Sequence, residues 1–299
     1  MPSYQLLLPM LAAICTATAV DLAVAGRGLP PGFAVPWRRA VASGLMAGIL
    51  FLGTFSALAV VTPGEAVDLS GAAWWDIFTL HLLMAVTLFA WVMLAWGGRA
   101  AAAANVEASA EADGEGPLPW RLDAEATVPP GSLGGRLAAE LGLAVAPGRS
   151  IAAEIGIGLV VGVVVWYGLS LVLAGVVSGV EALGGPNLRP EESPQLVSFL
   201  VAQPFAVRLG ASLSAGLCEE TFFRGFLQPR LGVAFSSLLF VLAHWNYGSP
   251  FMLVGVALLS LAYAGLARWR GNVWAAAAAH AAFDGIQLLW LLPWALEQA

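Results

Sequence analysis

The sequence predicts an all-α, polytopic membrane protein of about eight transmembrane helices. Three observations predict it. Of 299 residues, 59% are hydrophobic and 11% are charged, against about 25% charged in soluble domains. Apolar runs near the roughly 20 residues that span a bilayer recur along the chain. Proline, glycine or charge marks every break between them. A formal charge of −6 argues against nucleic acid as a partner, and the expected surroundings are a lipid bilayer.

The runs fall at about 4–25, 40–62, 74–96, 151–180, 196–227, 233–248, 251–267 and 272–296. The first ends Ala23-Val-Ala-Gly26, which resembles a cleavage site, but it lacks a basic start and carries Asp21, so it reads as a retained helix. Residues 1–96 form a set of three helices. Residues 97–150 form a cytoplasmic linker, rich in Ala, Glu, Asp, Gly and Pro from 100 to 130. Leu133, Leu137 and Leu141 recur every fourth residue in it and predict a short helix lying on the inner membrane face. Residues 151–299 carry the remaining five helices. All 13 basic residues are arginine. With the N-terminus outside, the cytoplasmic connections collect ten of them and the external ones only Arg189, which sets the orientation. Tryptophans 74, 75, 91, 96, 269, 274, 290 and 294 read as interfacial anchors. Cys15 and Cys218 both lie in apolar stretches with no CxxC spacing, and Cys218 reads as a small buried side chain rather than a nucleophile.

Charge inside these runs is costly, roughly 2.5–3.5 kcal/mol per ionised side chain at a helix centre. Three clusters nevertheless sit there. Glu219, Glu220 and Arg224 occupy the fifth helix, Phe240 and His244 the sixth, and His280 and Asp284 the eighth. At 1.5 Å per residue, Glu220, His244 and His280 come to lie about 10, 16 and 12 Å from the inner surface. Matched depth on three helices implies a shared cavity. Glu220 and Arg224 are spaced i, i+4 and can pair, as can His280 and Asp284. Glu219 points about 100° away and is left to face the cavity. A carboxylate, two imidazoles and a supporting acid suffice for attack of water on an amide. His81, with only Asp76 near it in sequence, reads as a packing residue.

In this order the clusters resemble the CPBP intramembrane protease family, which includes type II CAAX prenyl proteases and bacteriocin-processing or self-immunity proteins. Its pattern, EExxxR, FxxxH and HxxxN or HxxxD, appears here as Glu219 to Arg224, Phe240 to His244 and His280 to Asp284. The resemblance covers about residues 195–297. Asp284 in place of Asn is similar to the bacterial branch. The resemblance implies an intramembrane endopeptidase acting on a peptide or protein near the inner leaflet. Glu219 is the implied general base, and His244 and His280 stabilise the oxyanion and orient the water. Glu220 and Arg224 support the site, and no cofactor is needed. Zinc held by Glu219, His244 and His280 is the alternative, though the HExxH helix of zincins is absent. Two other classes compete: a non-catalytic scaffold or immunity protein, and a proton-coupled transporter. The second usually shows repeat symmetry, and no internal repeat is present.

Overall fold

A computed structural model of the chain describes residues 4–26, 33, 35–60, 71–113, 133–188, 195–247 and 249–298. Every regular element among them is a helix. They are α1 (Tyr4–Gly26), α2 (Pro36–Leu50), α3 (Ala57–Val60), α4 (Asp76–Asp113), α5 (Leu133–Glu140), α6 (Ile151–Ala182) and α7 (Gln195–Val201). There follow α8 (Phe205–Glu220), α9 (Gln228–Ala243), α10 (Pro250–Arg270), α11 (Trp274–Ile286) and α12 (Leu292–Gln298).

Six helical segments among the described residues are long and apolar enough to cross a membrane, rather than the eight expected. Two local features account for the difference. The second expected span is interrupted by a π-helical turn at Phe51–Phe55 between α2 and α3, so no single regular helix reaches spanning length. The fifth and sixth expected spans join into one helical run, 205–243. That run is not straight. Gly232 has φ +84°, a conformation that favours glycine because it has no Cβ. Ser236 then donates a 2.6 Å hydrogen bond to the carbonyl of Phe223, thirteen residues back, which a continuous helix would hold about 20 Å away. The chain therefore folds back on itself at Gly232. The expected start at 196 also moves, because Pro204 separates α7 from α8.

The linker expected from residue 97 begins later. Helix α4 continues to Asp113, through the alanine run 100–104, the strongest intrinsic helix formers. Residues 114–132 lie outside the described residues, as do Arg27, Arg189 and the breaks at 28–32 and 62–65. The expected short helix is α5, with Leu137 and Leu141 packed on the main core.

That core draws on both halves of the chain. Met46, Leu50, Met84 and Trp91 of the early helices join Phe222, Phe223, Phe226, Leu239 and Phe240 in one buried cluster. Trp91 meets Phe226 edge to face with ring centroids 5.5 Å apart. Asp21 of α1, buried, is paired with Arg39 of α2.

The C-terminal bundle is held differently. Helix α11 opens Trp274-Ala-Ala-Ala-Ala-Ala-His280 and lies between α6 and α8. A Cβ on Gly158 or Gly162 of α6 would collide with the carbonyls of Ala275 and Ala279, and one on Gly216 of α8 with that of Ala277. Small residues four apart let helix backbones touch, the packing that membrane helices favour in the absence of a hydrophobic drive between them. This contact fixes the height of α11 against α8, and so the height of His280 against Glu220.

One end of the bundle gathers the 140–149 segment with the 228–232 and 268–273 turns. Val273 donates its N–H to the Gly142 carbonyl at 2.9 Å, and the Trp274 indole donates to Leu143 at 2.9 Å. Arg230 meets Glu140 at 3.0 Å. Arg270 holds the fully buried Glu154 through two 2.8 Å bonds.

Candidate functional site

The two glutamates end α8, and a π-helical segment, Thr221–Leu227, follows at once. Its closing bond runs from the Gln228 N–H to the Phe223 carbonyl, five residues back. Such wide turns are rare and concentrate at functional sites. All seven residues of this one are buried.

Glu220 is completely buried. Its Oε1 lies 2.9 Å from His280 Nδ1, and its Oε2 lies 3.2 Å from Arg224 Nε. The second contact is an ion pair whose angle does not make a hydrogen bond, since both atoms lack a hydrogen-bonded partner. Arg224 instead donates from Nη2 to the carbonyl and hydroxyl of Ser260, each at 3.2 Å. Its guanidinium lies 4.3 Å from the centre of the Phe240 ring, a cation–π contact strengthened by burial.

His280 is gripped on both sides. Its Nε2 lies 3.4 Å from Asp284 Oδ2, and its ring stacks on Tyr263 at 5.1 Å with 17° between the planes. Both ring nitrogens thus face carboxylates. His244 is different: Nδ1 donates to the Phe240 carbonyl at 2.8 Å, which leaves Nε2 as the free nitrogen. Phe240 lies against both imidazoles, 4.6 Å from His244 and 5.9 Å from His280. A cavity of about 190 Å³ opens here, lined by His244, Tyr247, His280 and Asp284 and walled by apolar side chains including Leu173 and Val256.

Glu219 faces away from Glu220, as its helical position requires. The imidazoles of His280 and His244 lie within electrostatic reach of it, but Glu219 is not among the residues lining the cavity that those imidazoles border, so, against expectation, it does not face that cavity. Its Oε1 is 3.4 Å from His81 Nε2, and its Oε2 is buried with no hydrogen-bond partner. His81 is therefore not the isolated packing residue that the sequence suggested. Helix α4 packs against α8 and places the imidazole between Glu219 and Ser214, whose Oγ lies 2.9 Å from Nδ1. Sequence separation hid this contact, which spans 138 residues. Ser260 and Tyr263 were also missed. The available signal was two hydroxyl side chains three apart on one face of an apolar helix.

Arg224 also lines a second cavity, of about 600 Å³, at the end formed by the 228–233 and 267–273 turns. Gln228, Arg268 and Asn272 border it. Cys218 is a free thiol. No three His, Cys, Asp or Glu side chains among the described residues are arranged to hold a metal ion. In the zinc alternative, His280 would offer Nε2, the nitrogen 3.4 Å from Asp284, and keep Nδ1 on Glu220, as metal-binding imidazoles commonly keep their second nitrogen on a carboxylate.

The fold and these contacts define a class: a multi-pass helical membrane protein with acidic, basic and imidazole groups converging between its spans. Comparison with known proteins narrows it. Residues 201–286 match the family model described as type II CAAX prenyl endopeptidase Rce1-like, which is the resemblance carried by the three clusters. The chain is also similar to a Bacillus subtilis protein described as uncharacterized protein YpbD, at 24% identity over 137 residues, or 41% of this chain. The match spans 66% of that relative's length, just under two thirds. No solved structure matches.

Proposed function

We propose that the protein is an intramembrane endopeptidase that hydrolyses a peptide bond of a membrane-associated protein or peptide. The observation that carries this reading is Glu219 Oε2, a buried carboxylate oxygen with no hydrogen-bond partner, on a carboxylate within electrostatic reach of His244 and His280, the two imidazoles that line the 190 Å³ cavity. Buried polar atoms are otherwise almost always satisfied, and an orphan here is suited to a water that arrives with substrate.

In this mechanism Glu219 accepts a proton from that water as its oxygen bonds to the scissile carbonyl carbon. His244, through Nε2, and His280, held as a cation between Glu220 and Asp284, stabilise the negative oxygen that forms. As the C–N bond breaks, Glu219 returns the proton to the leaving nitrogen. Glu220 and Arg224 hold His280 and the π-helical segment in place. The reaction proceeds without a metal. In support, the HExxH helix of zincins is absent from the sequence.

Water and substrate approach from the cytoplasmic side, through the cavity bordered by Arg224, Gln228 and Arg268. The arginines gathered at that end support this orientation. Prenylated C-termini, leader peptides and sorting signals are all compatible substrates.

Two internally quenched peptides serve as probes in proteoliposomes, one farnesylated at a C-terminal cysteine and one unmodified and apolar. Glu219→Gln is expected to fold and insert normally and to cleave neither. Cleavage of a probe by that variant would overturn the assignment. Wild-type activity is expected to survive a strong chelator, whereas loss restored by zinc would support the metal alternative. For orientation, single cysteines replace Leu183, 89% exposed, and Trp269, 66% exposed, in a cysteine-free background. In intact cells an impermeant thiol reagent is expected to label position 183 and spare 269; the reverse pattern would invert the topology.

A further inference from the structure

We infer that His81 is a positioning residue for Glu219, supplied from outside the matched segment by helix α4. The inference rests on the proposed role of Glu219 and follows from counting hydrogens. Ser214 Oγ donates its only hydrogen to the Ala211 carbonyl at 3.1 Å. Toward His81 it is therefore an acceptor, so His81 Nδ1 carries a hydrogen and gives it to Ser214 at 2.9 Å. That assignment leaves Nε2 to face Glu219 Oε1 at 3.4 Å. Two lone pairs cannot share this buried gap without repulsion, so one proton lies between imidazole and carboxylate.

The consequence is a division of labour within one carboxyl group. Oε1 is held by His81, and Oε2, buried and unpartnered, is directed at the water. Ser214 fixes the tautomer of His81 by accepting from Nδ1, much as an orienting group fixes a catalytic imidazole. The chain His81–Ser214–Ala211 ends in α8 itself, one to two turns before Glu219, so α4 is tied to the helix that carries Glu219. His81 touches neither water nor peptide, and it acts only through Glu219.

Three variants and two readouts test this. His81→Ala is expected to lower kcat by roughly 10- to 100-fold, part of what a general base contributes, with KM changed less than about twofold, since uniform binding is untouched. His81→Gln, which can still present an N–H to Oε1, is expected to recover most of kcat. Ser214→Ala is expected to give a smaller kcat loss. The second readout needs no substrate. In infrared difference spectra of the protein in membranes, the Glu219 carboxyl band, identified by its loss in Glu219→Gln, is expected to shift in His81→Ala and to return in His81→Gln. An unshifted band, or an unchanged kcat in His81→Ala, would overturn the positioning role, as would a loss confined to KM. An active Glu219→Gln would instead overturn the protease reading, so the two failures are distinct.

Discussion

Two fully buried glutamates, Glu154 and Glu220, are each paired with arginine, yet their surroundings differ. At the arginine-rich end of the bundle both oxygens of Glu154 accept 2.8 Å bonds from Arg270. Arg149 lies 3.9 Å away and donates to the Arg270 carbonyl, and every partner lies near an exposed surface. Between the spans, Glu220 meets Arg224 off the hydrogen-bonding direction, and Arg224 Nη1, Tyr263 Oη and Glu219 Oε2 have no hydrogen-bonded partner. The first constellation is saturated and has nothing left to offer a ligand. The second keeps unfilled valences in a region where each one is expensive. Saturation, more than charge or burial, separates the anchor from the proposed machinery.

That distinction can be broken experimentally. Arg224→Ala should cost roughly 3–5 kcal/mol, because it strands Glu220 as a buried charge without its cation. It should also lower kcat in the molecules that remain folded, since His280 loses the partner of its partner. Arg270→Ala should cost distinctly less, because Arg270 lies at the accessible end of the bundle and Arg149, 3.9 Å from Glu154, can move in. Its kcat per folded molecule should be unchanged. Thermal unfolding in detergent and activity normalised to the folded fraction would separate the two. Equal kcat losses would show that the saturated pair belongs to the machinery after all. A milder effect tests how the site is assembled. Gly162→Leu should destabilise by roughly 1–3 kcal/mol, the usual cost of overpacking, by pushing α11 off α6. It should reduce kcat through His280, read from the same two measurements.

Much of the site was legible because helices convert sequence spacing into height. The i, i+4 pairs Glu220–Arg224 and His280–Asp284 are contacts in the structure, and the arithmetic that put them at one depth needed only the rise per residue. Relations across the bundle were less legible. His81 reaches Glu219 because α4 packs on α8, and nothing in the sequence around His81 announces that packing. The count of spans differs for local reasons: a π turn at Phe51–Phe55 interrupts the second expected span, and the fifth and sixth form one helical run folded back at Gly232, within the break between them. The Gly158, Gly162 and Gly216 contacts with the alanine run of α11 were available as small residues spaced four apart, a signal as readable as the charged motifs.

The hairpin at Gly232 has a consequence for the membrane itself. The leg that follows, residues 233–243, climbs only about 16 Å, half of a hydrocarbon core about 30 Å thick. Its companion α10 has 21 residues and reaches about twice as far. The leg stops at His244, where the chain turns through Trp245–Tyr247, about half a hydrocarbon core from Gly232. Irregular backbone at that depth must be surrounded by protein or water and cannot meet acyl chains. The imidazole of His244 thus sits at the tip of a half-length support.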